Sequence, residues 1–307
     1  MTKIYPISYF RDQYINFTDA NLSIASSPML YGLSSYSVMP IYINTNNSSP
    51  YMFRLADHFN RLKNSAKILS FDDFLEEWNE KKLEQVIKTL VNKNKIKKDA
   101  MVRITIFTDG ILSGTKMIGI PHKLAVFIYD YQPILPLSGA SLLVSSWRRI
   151  SDNAIPARAK INGGYVNSSL IKNEALSFGF DDAIALDDNG HITESSVSNI
   201  FLVKNNQLMT PSTDNDILEG ITRDTVRQIA DDLNIICQAK PLDRTELYTA
   251  DEIFLSGSSV SITPVIKVDN RNIGDAKPGS ITQKISNSYN QLTHGQLTDK
   301  HHWLTRV

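Results

Sequence analysis

The sequence predicts an α+β chain of two domains. Helical and alternating patterns mix in the first half, the second half reads as short strands parted by turns, and a proline-bearing stretch lies between them. Phe74, Leu75, Trp78, Val86, Ile87, Leu90 and Val91 recur at helical spacing among Glu and Lys. Asp72 and Asp73 favour the N-terminus, so one amphipathic surface helix is expected. The basic run Lys93, Lys95, Lys97 and Lys98 reads as its solvated end. Met101 to Phe107 alternates as a half-buried strand and sets Arg103 and Thr105 on one face. In Tyr131-Gln132-Pro133-Ile134-Leu135-Pro136-Leu137-Ser138 two prolines part a strand at Ala125 to Asp130 from another at Ser141 to Trp147. The expected division is a smaller N-terminal domain over residues 1–131, a linker over 132–138 and a larger C-terminal domain over 139–307. Beyond the linker, strands are expected at Ala183 to Leu186, Ile200 to Val203 and Glu252 to Ser256, with Asn189-Gly190 suited to a tight hairpin. Helices are expected from Thr222 or Arg223 to about Leu233 and from Ile281 to Leu292, and the polar run Asn44 to Ser49 reads as a loop.

A chain of 307 residues with 42% hydrophobic content can bury a sizeable core. Lys plus Arg and Asp plus Glu each number 32, so no net field draws nucleic acid or an anionic membrane, and a small-molecule substrate fits better. No window reaches the roughly 18 consecutive apolar residues of a spanning helix. Cys237 is the single cysteine and cannot form an internal disulfide, and Met-Thr-Lys-Ile-Tyr-Pro lacks the layout of a signal peptide. A soluble, cytoplasmic protein is expected. The histidines do not form a metal set with Cys237, and His301-His302 read as a polar tail. A serine-hydrolase elbow, a phosphate loop and a dinucleotide fingerprint are all absent from the sequence.

Two segments carry chemistry: Ala159-Lys160-Ile161-Asn162-Gly163-Gly164-Tyr165 and Ile192-Thr193-Glu194-Ser195-Ser196-Val197-Ser198-Asn199-Ile200-Phe201. They supply the partners that pyridoxal phosphate requires. A lysine attaches it covalently and must be partly desolvated to be nucleophilic, each unit of pKa lowering corresponding to about 1.4 kcal/mol. A carboxylate, Glu194, facing the pyridine nitrogen keeps it protonated and makes the ring an electron sink. Leu218-Glu219-Gly220-Ile221-Thr222-Arg223-Asp224 enters a helix, so the Ile221 and Thr222 amides and the Thr222 hydroxyl can point at an anion. Ser256-Gly257-Ser258-Ser259 offers a second set of donors. Taken singly, Thr222 is a helix N-cap, Gly257 a tight turn and any lysine a surface charge. Arg61, on a helix anchored by Phe59 and Leu62, would grip a phosphate dianion if directed inward.

In this order the residues resemble the class IV, fold-type IV pyridoxal-phosphate enzymes, and within them the branched-chain amino acid aminotransferases. The resemblance runs nearly end to end, through Leu30-Tyr31-Gly32, Arg61 to Lys67, Ala159-Lys160 to Tyr165, Glu194 to Phe201, Gly220 to Arg223, Ser256-Gly257 to Thr263-Pro264 and the closing Gly295 to Trp303. It implies a two-domain fold with the cofactor at the domain interface. It implies Lys160 as the catalytic Schiff-base lysine, Tyr165 on the cofactor's phenolic oxygen and Glu194 on its pyridine nitrogen. Arg61, Ile221, Thr222 and Ser258 would hold the phosphate, and Tyr31, Tyr36, Arg103, Ser258 and Ser259 would meet the substrate. At least a homodimer is implied, with the Tyr31 loop reaching a neighbour's site. The chain departs from the pattern at Tyr36-Ser37-Val38-Met39-Pro40, where branched-chain enzymes follow an aromatic with Glu-Gly and an arginine, and at Met101, where they commonly carry a tyrosine.

The reaction implied is transamination between a branched-chain L-amino acid and 2-oxoglutarate. Lys160 yields its place to the substrate amine, moves the α-proton, and a 2-oxo acid leaves; a second oxo acid reverses the sequence. The same parts would serve a D-amino acid or amine transaminase or an aminodeoxychorismate lyase. A non-catalytic binding or assembly protein retaining the fold is the other class, and the presence of Lys160, Tyr165 and Glu194 weighs against it.

Overall fold

The computed structural model describes residues 2–307. In chain order the elements are β1 (Ile7–Phe10), β2 (Gln13–Asn16), α1 (Ser27–Tyr31), β3 (Ser34–Ile43), β4 (Pro50–Phe53), α2 (Leu55–Ile68), α3 (Asp72–Glu77), α4 (Glu80–Asn94), β5 (Ala100–Thr108) and β6 (His122–Asp130). There follow β7 (Ala140–Arg148), α5 (Tyr165–Ser177), β8 (Asp182–Leu186), β9 (Ile192–Ser195), β10 (Asn199–Lys204), β11 (Gln207–Thr210), α6 (Ile221–Asp232) and β12 (Cys237–Ala239). The chain closes with α7 (Glu246–Thr249), β13 (Glu252–Gly257), β14 (Ser261–Val268), β15 (Arg271–Asn272), α8 (Ser280–Thr293) and β16 (Leu304–Arg306).

Two compact units result. The first takes residues up to Gln132 with Ala159–Gly163 and Leu292–Val307, the second Pro133–Arg158 and Gly164–Gln291. The first crossing falls at the proline stretch. The segment bearing Lys160 and the closing residues rejoin the first unit, which a single cut at 132–138 does not describe. Backbone pairing returns them: Ile161 bridges to Ser35, and β16 pairs antiparallel with β4. His301-His302 thus lead into an edge strand, correcting the polar tail, and the His301 ring stacks on Trp303 at 4.3 Å.

The first unit is built on a seven-stranded sheet in the order β16-β4-β3-β5-β6-β1-β2. The period of two divides its residues between faces. Met39, Ile41, Val102, Ile104, Ile106, Leu124, Val126 and Ile128 form one core with Leu55, Phe59 and Leu62 of α2 and Leu83, Ile87 and Leu90 of α4. Tyr36, Arg103, Thr105, Phe127 and Tyr129 consequently fall on the opposite face. The single helix expected over Phe74 to Val91 is two. Trp78 is extended, and the Asn79 side chain accepts the Lys82 N–H at 2.9 Å, capping a new helix, because a short amide side chain competes with the backbone for that bond. The basic run ends α4 with Lys95 in the left-handed region, and Lys98 pairs with Asp130 at 2.6 Å.

The second unit holds a nine-stranded sheet, in which β7 runs parallel to β8 and β14. Leu142, Val144, Ile184, Ile200, Leu202, Ile253, Leu255 and Val265 make its main core. The Asn189-Gly190 turn joins β8 to β9, and β9 rather than the Ile200 strand completes the hairpin. A four-residue strand with every side chain buried shows no alternation. Gly220 is the N-cap of α6, so Thr222 lies inside the helix and does not cap it.

Candidate active site

In the first unit Lys160 lies along β3. Its carbonyl accepts the Tyr36 N–H at 3.0 Å and the Ser35 hydroxyl at 3.1 Å, while its own N–H donates to Ser65 Oγ at 3.3 Å. The backbone is held from both sides, and the amine lies 5.0 Å from the centre of the Tyr36 ring. Gly32 makes this possible. Its φ is +69°, and a Cβ there would fall 2.7 Å from the α-carbon of Gly163, so only glycine admits the approach. Tyr31, just before it, is exposed at the end of α1.

Arg103 lies over the Tyr36 ring, its Cζ 3.8 Å from the ring centre, and donates to Asn162 Oδ1 at 2.6 Å. Tyr129, diagonal to Arg103 across the β5–β6 ladder, closes the same surface. Burial raises its phenol pKa, with the Arg103 guanidinium opposing and Tyr36 adding to the shift. Met101 is buried between Pro40 and Tyr129 on this face. On the helix side, Arg61 is directed inward and donates to Ser37 Oγ at 3.3 Å, and Ser37 Oγ lies 2.8 Å from His58 Nδ1. Burial, followed by the charges of Arg61, Arg54 and Lys160, holds His58 well below the ordinary histidine range. A neutral imidazole with Nδ1 unprotonated accepts the Ser37 proton, so the hydroxyl oxygen faces the guanidinium. Ser37, where the branched-chain pattern has a glutamate, thereby relays between two helix residues.

In the second unit Glu194 lies in β9 and is buried. Its Oε1 meets Arg149 at 2.8 Å, and its Oε2 accepts from Asn199 Nδ2 at 3.0 Å and from the Leu218 N–H at 3.2 Å. One cation and two neutral donors favour a negative charge there. Asn199 also donates to the Leu218 carbonyl at 2.9 Å, tying Glu194 to the loop before α6. The N-cap of α6 is Gly220, which has no side chain to bond the first turn, and its first residues, Ile221 and Thr222, are buried. Ser256 pairs with Asn199 across β13–β10, and its buried hydroxyl has no hydrogen-bond partner among the described residues. Ser258 and Ser259 follow in the β13–β14 turn, half-buried, and Tyr165 opens α5.

The class IV aminotransferase family model matches residues 38–268. The chain belongs to the class IV aminotransferases. A probable branched-chain-amino-acid aminotransferase of Aquifex aeolicus is 35% identical over 303 residues, covering 98% of this chain and 96% of the relative. Among solved structures, the branched-chain aminotransferase of Thermoproteus uzoniensis with norvaline superposes with a TM-score of 0.93 at 33% identity, covering 98% of this chain and 99% of that one. That of Thermobaculum terrenum in its PLP form gives 0.92 at 26% identity, covering 99% and 98%. Class IV aminotransferases transfer amino groups, so this chain is an enzyme of that reaction type. It has no helix long and apolar enough to cross a membrane among the described residues.

Within this aminotransferase, the first unit groups Lys160, Tyr36 and Arg103 and directs Arg61 inward, and the second groups Glu194 with the start of α6 and the Ser256–Ser259 turn. Sequence reasoning missed Ser37, His58, Asn162, Tyr129, Arg149 and Asn199. Asn162 and Asn199 lie inside the motifs already singled out. His58 lies three residues before Arg61, one helical turn away, which is a signal that could have found it.

Proposed function

We propose that this chain transfers the amino group of a branched-chain L-amino acid to 2-oxoglutarate, with pyridoxal 5'-phosphate as cofactor. The observation that carries the reading is Lys160, whose backbone is fixed by Ser35, Tyr36 and Ser65 while its long arm presents the amine over an aromatic face. The residues present fit that cofactor. A helix start with glycine as its N-cap suits a phosphate, the orphaned Ser256 hydroxyl suits a further polar contact, and a buried carboxylate beside Arg149 suits a ring nitrogen that must hold a proton.

When bound, pyridoxal phosphate supplies an aldehyde that captures amines and a ring that accepts the electron pair of the substrate α-carbon. Lys160 is the covalent anchor and, once displaced, its Nζ takes the α-proton and redelivers it. Glu194 keeps a proton on the ring nitrogen, and Arg149 keeps Glu194 anionic. Tyr165 bonds the phenolic oxygen. Arg61, Ile221, Thr222 and Ser258 hold the phosphate, so that the ring stays in place when the lysine lets go. Tyr36, Tyr129 and Met101 offer an apolar surface to a branched side chain, Arg103 receives the distal carboxylate of 2-oxoglutarate, and Ser258 and Ser259 receive the shared carboxylate. Tyr31 reaches the site of a second copy in a homodimer.

Borohydride reduction of the holo protein followed by peptide mapping tests the anchor. Cofactor mass on the peptide containing Lys160 is the expected result, and cofactor mass on any other lysine overturns the assignment.

A further inference from the structure

We propose that Asn162 determines acceptor specificity by holding Arg103 with an uncharged group, which leaves the guanidinium its full charge for the second carboxylate of a dicarboxylic 2-oxo acid. The proposal rests on the reading of Arg103 as the receptor for that carboxylate. Arg103 offers five N–H donors in a rigid plane, and Asn162 Oδ1 takes one of them at 2.6 Å. The Tyr36 ring covers the guanidinium from one side at 3.8 Å. Among the described residues no carboxylate pairs with Arg103.

Asn162 is itself fixed in one sense. Arg103 can only donate, so the amide oxygen is the end turned to it; Nδ2 then donates to Ser34 Oγ at 2.7 Å, and the backbone N–H donates to the Ser34 carbonyl at 2.9 Å. It stands two residues after Lys160, and Arg103 is thereby tied to the segment that carries the anchor. An aspartate has the same shape but would place a counter-charge on the guanidinium, in competition with a substrate carboxylate. A neutral hold therefore orients the cation without quenching it.

The test compares two non-reacting acids on the holo protein by calorimetry: glutarate, with two carboxylates, and 4-methylpentanoate, with one. Asn162→Asp is expected to weaken glutarate binding by about tenfold or more while changing 4-methylpentanoate by less than about twofold. The KM for 2-oxoglutarate should rise by a similar factor relative to that for 4-methyl-2-oxopentanoate. Asn162→Gly, which removes the hold without adding charge, shifts the same ratio in the same direction by less. It carries the test if the aspartate variant does not fold. Arg103→Leu separates the two claims. If it loses glutarate selectively and the Asn162 variants do not, the role of Asn162 is overturned alone. If it leaves glutarate binding unchanged, the reading of Arg103 falls and the proposal with it. Equal losses for both acids in the Asn162 variants also overturn it, because Arg103 would then serve the carboxylate that every substrate shares.

Discussion

Replacing Glu194 with Gln removes one charge and almost no volume. The carboxylate is 7% exposed and the Arg149 side chain facing it 12%, so the pair is largely withdrawn from solvent. Arg149, Asn199 and the Leu218 amide, which meet the two carboxylate oxygens, are donors. Whichever way a glutamine amide turns, its NH2 meets another N–H, and a largely desolvated guanidinium loses its counter-charge. Removing one member of a buried pair costs about 3–5 kcal/mol. In a chain of 307 residues that lowers the thermal midpoint by roughly 5–8 °C, at about 1.6 °C per kcal/mol. Arg149→Met should lose a comparable amount. The double variant should lose clearly less than the sum, because both changes strike one interaction. Scanning calorimetry of the four apo proteins measures all of this, and single-turnover kinetics should show transamination falling further than cofactor affinity. A midpoint for Glu194→Gln within about 2 °C of the parent, or strictly additive losses, would refute the reasoning.

Lys160→Ala should lose borohydride-fixed cofactor and essentially all turnover while its melting midpoint hardly moves, since one half-exposed side chain contributes little to packing; turnover at the parent rate would contradict the anchor. His58 should impose a pH dependence on stability. Burial, with the Arg61, Arg54 and Lys160 charges, holds its pKa well below the ordinary 6.5, so the unfolded chain binds a proton that the folded chain refuses. That contribution is complete above about pH 6.5 and is lost as pH falls below it, by up to about 1.4 kcal/mol per pH unit. Urea titrations from pH 7 to pH 5 should give a shallower slope for His58→Gln than for the parent, and equal slopes would assign the titration to another group. Gly220→Ala has an allowed φ of −70°, yet its Cβ would fall 2.0 Å from Asn199 Oδ1. Displacing Asn199 from Glu194 should cost about 1–3 kcal/mol in denaturant titrations and weaken cofactor binding; parent-like values for both would show that Asn199 has room to move.

Much of the secondary structure was legible because its cause is local. β5, β6, β7 and α6 follow from periodicity and fall within a few residues of their expected bounds. The break between α3 and α4 turned on one capping bond of Asn79, which apolar spacing does not encode. β9 escaped because both its faces are buried. The return of Ala159–Gly163 to the first unit depends on pairing with a strand more than a hundred residues earlier, and no local pattern records that. In the candidate site the residues that bear chemistry by type stood out: a lysine, a glutamate, arginines and glycine turns. Those that act by holding them did not. Ser37, Asn162 and Asn199 are ordinary polar residues until the fold sets each within hydrogen-bond reach of a charged group.

The visible absorption of the holo protein reads branched-chain transamination at the cofactor itself. The protein would be mixed in turn with L-leucine, L-isoleucine, L-valine, a D-amino acid and a primary amine, and then with 2-oxoglutarate. Each branched-chain L-amino acid should convert the cofactor to its aminated form, and 2-oxoglutarate should convert it back. Conversion by the D-amino acid or the amine alone, or by no donor in the panel, would contradict that reading.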